Sequence, residues 1–130
     1  MTAVTPWAVA AAVVIAFIVS AVMYGALGRQ LAELSPAYAG DQPSPVQTLA
    51  VELARNTVLT LVIAALIARL DITSAGAAVG LALLLWVGVP AVVLAGSVFH
   101  ENVPPRLAAV HLGDWALKLI VVTSIVALWR

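Results

Sequence analysis

From Pro6 to Leu27 the chain carries no charged side chain. As an α-helix this run is about 33 Å long at roughly 1.5 Å per residue, enough to cross the hydrocarbon core of a bilayer unaided. Pro6 falls in the first turn, where its missing N–H sacrifices no hydrogen bond. The rest of the chain has the same character: 64% of its 130 residues are hydrophobic and 9% are charged, against roughly 45–50% and 25% in a soluble domain. These features predict an all-α fold, an integral membrane four-helix bundle whose principal partner is the lipid bilayer. Four crossings at about 20 residues each leave little chain for a soluble catalytic domain. Six basic residues balance six acidic ones, which argues against nucleic acid as a partner. With no cysteine, disulfides, thiolate nucleophiles, iron–sulfur clusters and cysteine zinc sites are excluded, so carboxylates, imidazoles and hydroxyls must carry any chemistry.

The spans are expected at 6–27, 47–68, 75–98 and 107–129, in one transmembrane domain covering 1–130. A signal peptide is the competing reading of the first span, because Ala37-Tyr38-Ala39 has the form of a small-residue cleavage site. No Lys or Arg precedes the apolar run, however, and Arg29 and Glu33 intervene before that site, so the segment is expected to be retained. The segment 28–46 holds Pro36, Gly40, Pro43 and Pro45 and forms the main loop, with one helical turn near Arg29 to Leu34. The second span cannot avoid charge: its uncharged part, Asn56 to Ala68, is too short to cross and must extend back through Arg55 and Glu52. The third carries Pro90 as a kink, and the fourth takes in His111, Asp114 and Lys118.

Short connections make successive spans antiparallel, which puts both termini on one side with Trp7 and Trp129 at the interface there. The positive-inside count is even, Arg69 and Arg130 against Arg29 and Arg106, and leaves the orientation open. The sequence contains no internal repeat.

At about 100° per residue, Thr48, Glu52, Arg55 and Asn56 share one arc of the second helix, and His111, Asp114 and Lys118 share one arc of the fourth. Both helices start from the same side, so these groups lie at matching depths. A charge facing lipid at midspan costs at least about 2.5–3.5 kcal/mol, so the two polar arcs should face each other. Arg55 then pairs with Asp114 and Glu52 with Lys118; pairing along each helix, Glu52 with Arg55 and Asp114 with Lys118, is equally compatible with the spacing. One reading of the cluster is a structural lock between two helices. The other is a polar cavity handling protons, ions or a small solute, with Glu52 or Asp114 titrating, His111 as the group nearest neutral pKa, and Arg55 fixing an anion.

His100, Glu101, His111 and Asp114 crowd into one short stretch, but their spacing fits no metal-ligand signature, and His100 and Glu101 read as solvated loop residues. Ser20, Ser97 and Ser124 lack nucleophile-elbow surroundings. No catalytic constellation, metal site or cofactor is expected. Gly76, Gly80 and Gly88 form a small-residue stripe on the third span, suited to close packing within the bundle or to a homo-oligomer contact; Ala21 to Gly25 is a weaker copy. Trp86 and Trp115 lie near midspan, where an indole N–H seeks a buried acceptor.

Met23-Tyr24-Gly25, Leu27-Gly28-Arg29, Gly80, Trp86-Val87-Gly88, Ser97-Val98-Phe99, Gly113 and Trp129, in that order and spacing, resemble the four-helix membrane family catalogued as domain of unknown function 1761. The likeness covers nearly the whole chain. The chain departs from the family pattern at Met23, where a Trp commonly precedes the tyrosine, and at Asp114-Trp115, where a Tyr-His pair commonly follows the glycine. The resemblance implies a small integral membrane protein and supplies no activity. A structural or accessory membrane subunit ranks first, a small proton- or ion-coupled transporter or channel using Glu52, Asp114 and His111 second, and a membrane enzyme third.

Overall fold

Proline and serine mark where most helices begin. In the computed structural model, which describes residues 3–129, the elements are α1 (Pro6–Ala26), α2 (Gly28–Leu34), α3 (Pro36–Ala39), α4 (Pro45–Leu70), α5 (Ala75–Gly88), α6 (Pro90–Glu101) and α7 (Pro105–Leu128). Ser44 starts α4 through a capping box: its Oγ accepts from the Gln47 N–H at 3.1 Å, and the Gln47 side chain accepts from the Ser44 N–H at 3.2 Å. Ser74 caps α5 on the Ala77 N–H, and Ser35 caps α3 on that of Ala37. Asp71 and Asn102 end α4 and α6 in the left-handed region, at φ 52° and 55°.

Four helical stretches are long and apolar enough to cross a membrane: Pro6–Ala26, Pro45–Leu70, Ala75–Glu101 and Pro105–Leu128. The third consists of α5 and α6. Backbone hydrogen bonds are made on both sides of Pro90, with the Val89 N–H on the Leu85 carbonyl and the Val93 N–H on that of Val89, and the helix is interrupted at Val89, where proline can donate no bond of its own. The helix also runs past 98 to include His100 and Glu101. These two residues were expected in a loop; they are exposed residues of the last turn of α6 instead, because the stop comes at Asn102 rather than at Phe99. The connection at 28–46 is likewise more helical than its proline content suggested, since Pro36 opens a new turn and Gly28–Leu34 completes two.

Helix α7 is central, packing against α1, α4, α5 and α6. On α1 the face turned inward is made of small residues one turn apart, Ala8, Ala12, Ala16 and Ser20, all buried. Backbones approach closely along such a face. On α4 the buried stripe is Asn56, Thr60, Ile63, Ala64 and Ile67. On α5 it is Ala78, Leu81 and Ala82.

The close packing within the bundle expected at Gly76, Gly80 and Gly88 is not found. All three are exposed, and a Cβ added to any of them meets nothing within 4 Å. They point away from Ala78 and Ala82, so the stripe faces outward. A close approach is made instead by Gly113 on α7, where a Cβ would come within 3.1 Å of Met23 Cε on α1.

Candidate functional site

The polar side chains of α4 and α7 pair along their own helices rather than across. Arg55 Nη1 lies 2.7 Å from Glu52 Oε1, one turn back on α4. Lys118 Nζ lies 3.0 Å from Asp114 Oδ2, one turn back on α7. The cross-helix pairs Arg55–Asp114 and Glu52–Lys118 are therefore not formed. The acid precedes the base by three or four residues in each helix, the spacing and order that favour pairing on one face, and each charge is neutralised without the two helices having to meet at one point. The two pairs differ in setting. Arg55 and Glu52 have side chains 56% and 24% exposed, whereas Lys118 and Asp114 are each 4% exposed.

What crosses between helices is a set of hydrogen bonds from α1. Ser20 Oγ donates to Asp114 Oδ1 at 2.6 Å, so both Asp114 oxygens are engaged, one by a hydroxyl and one by an ammonium. One turn along α1, the Tyr24 hydroxyl and His111 Nδ1 share a hydrogen bond of 2.6 Å. The small-residue face of α1 explains both contacts: three alanines let it lie against α7, and the next two positions of the same stripe, 20 and 24, arrive opposite 114 and 111. Lys118 Nζ also sits 4.5 Å over the Trp115 ring, a cation–π contact that covers its apolar side. Trp86 ties α5 to the same stretch of α7 by donating its indole N–H to the Leu112 carbonyl at 2.8 Å.

Most of these groups line a partly open cavity of about 330 Å³, within the range of small-ligand pockets. Phe17, Ser20, Ala21 and Tyr24 line it from α1, and His111, Asp114, Trp115 and Lys118 from α7. Helix α4 adds Thr48, Glu52 and Arg55, and α3 adds Tyr38. The Tyr38 ring stacks parallel to that of Tyr24 at 6.4 Å between centroids. Burial pushes the Tyr38 hydroxyl above its usual pKa, so it keeps its proton at neutral pH. The wall thus grades from the exposed Arg55 guanidinium to the buried Asp114–Lys118 pair.

Five of the six charged or polar residues singled out in the sequence, Glu52, Arg55, His111, Asp114 and Lys118, line this one cavity. Asn56 stands apart. It belongs to the inward stripe of α4 and is buried with its Nδ2 unpartnered; the Thr60 Oγ1 one turn on is likewise unpartnered. Asn56 borders a second hollow that shares Arg55, Trp115 and Lys118 with the first. Ser20, Tyr24 and Tyr38 were missed as site residues. Among the described residues, no three His, Asp or Glu side chains come together as a metal would need.

The family described as a protein of unknown function (DUF1761) matches residues 7–127. The chain belongs to the DUF1761 family. No curated protein and no solved structure matches it. DUF1761 membership accords with the four apolar helices and assigns no activity, so function must be argued from the cavity.

Proposed function

We propose that this chain is a four-span integral membrane protein that passes protons and takes up a small solute, using the cavity between α1, α4 and α7. The observation that carries this reading is that one cavity is lined both by the buried Asp114–Lys118 pair and by the more exposed Arg55–Glu52 pair. A lock between α4 and α7 would join them through their charges; here each pair closes on its own helix, α7 is tied to α1 by the Ser20 and Tyr24 hydrogen bonds, and the groups around the cavity keep unused hydrogen-bonding capacity. Ionisable residues placed so within spanning helices are the usual mark of a solute or proton path. Tyr24, His111, Ser20 and Asp114 form two hydrogen-bonded steps side by side, and an imidazole is the side chain that titrates nearest neutrality.

The test is proton entry into liposomes. Protein is reconstituted with a pH dye inside, and valinomycin sets a potassium diffusion potential, negative inside. Wild-type protein should acidify the lumen faster than empty liposomes, and the Asp114→Leu/Lys118→Met double variant should return the rate to the empty-liposome value. Equal rates for wild type and empty liposomes would remove the proton path and favour an accessory subunit.

A further inference from the structure

Hydrogen-bonding capacity around the cavity is lopsided. Both Asp114 oxygens are engaged, and Glu52 Oε1 is held by Arg55. A guanidinium carries five N–H donors and an ammonium three. Among the described residues, Arg55 bonds Glu52 and Lys118 bonds Asp114, which leaves several N–H donors over. The Tyr24–His111 pair keeps a donor in either tautomer: Nε2–H when the phenol donates, the phenol O–H when Nδ1 donates. The Tyr38 and Thr48 hydroxyls line the same space and can donate as well. Against these donors stand one carboxylate oxygen without a partner, on Glu52, and the second lone pairs of oxygens already engaged. Phe17 and Trp115 add apolar surface.

We propose that the cavity binds a small organic carboxylate, its oxygens held by the Arg55 guanidinium and the Tyr24–His111 pair, its apolar body against Phe17 and Trp115. This rests on the cavity being a solute site, as argued above. A guanidinium fork matches the two oxygens of a carboxylate, and Arg55 is exposed enough to receive them without first leaving Glu52. The four charges that line the cavity cancel, so the surplus of donors decides: an ammonium ligand would find one carboxylate oxygen without a partner, on Glu52, and would crowd the donors of Arg55 and Lys118. A phosphate, with more negative charge than a carboxylate, is the costlier anion beside Glu52 and Asp114, which already balance the two cations.

The experiment is calorimetric titration of the full chain in phosphatidylcholine nanodiscs, with empty nanodiscs subtracted, using benzoate, benzylamine and benzyl alcohol. The expected result is saturable benzoate binding, weakened tenfold or more by Arg55→Gln, with no saturable benzylamine binding. Arg55 is exposed, so this variant keeps the fold; Arg69→Gln, at the other end of α4, should bind benzoate as wild type does. Saturable binding of benzylamine or benzyl alcohol without benzoate overturns the carboxylate assignment and leaves the cavity a solute site. Benzoate binding unaffected by Arg55→Gln overturns the assigned position. Failure of all three probes overturns both this inference and the solute-site reading beneath it.

Discussion

Replacing Asp114 alone by alanine should cost about 3–5 kcal/mol of unfolding free energy, because it leaves the Lys118 ammonium buried without its counter-charge. Lys118 is 4% exposed, and its other close contact is the Trp115 ring, which cannot replace a carboxylate. The double variant Asp114→Leu/Lys118→Met should behave differently. Removing both charges together and filling their volume is neutral or stabilising in many buried pairs. The Ser20 hydroxyl, released from Asp114, can turn to the backbone carbonyl one turn back on α1, as serine does within helices. Titration with sodium dodecyl sulfate in mixed micelles measures both. A double variant as unstable as Asp114→Ala would mean that the pair, rather than the loss of half of it, sustains the fold.

Ala16→Leu should be the next most damaging change, by about 1–3 kcal/mol, through overpacking. Ala16 is fully buried on the small-residue face of α1, one turn before Ser20. A leucine there must push α1 away from α4 and α7, and the hydrogen bonds of Ser20 and Tyr24 lie beyond it on the same stripe. Stability in mixed micelles and benzoate affinity should therefore fall together. The same substitution at Val14, which is 51% exposed and faces outward, should change neither.

Asp114 and Ala16 also show what the sequence could reveal. The four spans were legible because a helix that crosses a bilayer must be long and nearly uncharged, and the chain holds four such stretches. The polar arcs of α4 and α7 were legible for the converse reason, that ionisable groups in apolar helices cannot be scattered at random. Whether Asp114 pairs with Lys118 or with Arg55 was not legible. Both arrangements match depth and charge, and only the distance between helices decides. Ser20 and Tyr24 escaped notice because each is a lone polar residue in an apolar run, although their i, i+4 spacing in register with Ala8, Ala12 and Ala16 was a usable sign. Of the two readings of Gly76, Gly80 and Gly88, packing within the bundle does not hold. Small residues permit close approach only on the face where a neighbour lies. Two steps along a helix carry a side chain more than halfway round the axis, so Ala78 takes the inner face of α5 while Gly76 and Gly80 take the outer.

A water-filled space behind Arg55 is the claim on which the functional reading stands, and the absence of native cysteine makes it directly measurable. Ala21 lines the cavity, and its neighbour Val22, at the same depth, is 66% exposed on the outside of the bundle. Single-cysteine variants Ala21→Cys and Val22→Cys, each in proteoliposomes, should separate under a small charged methanethiosulfonate reagent: position 21 labelled readily, position 22 inert against lipid. Equal inertness at both positions, in protein shown to be folded, would contradict the account.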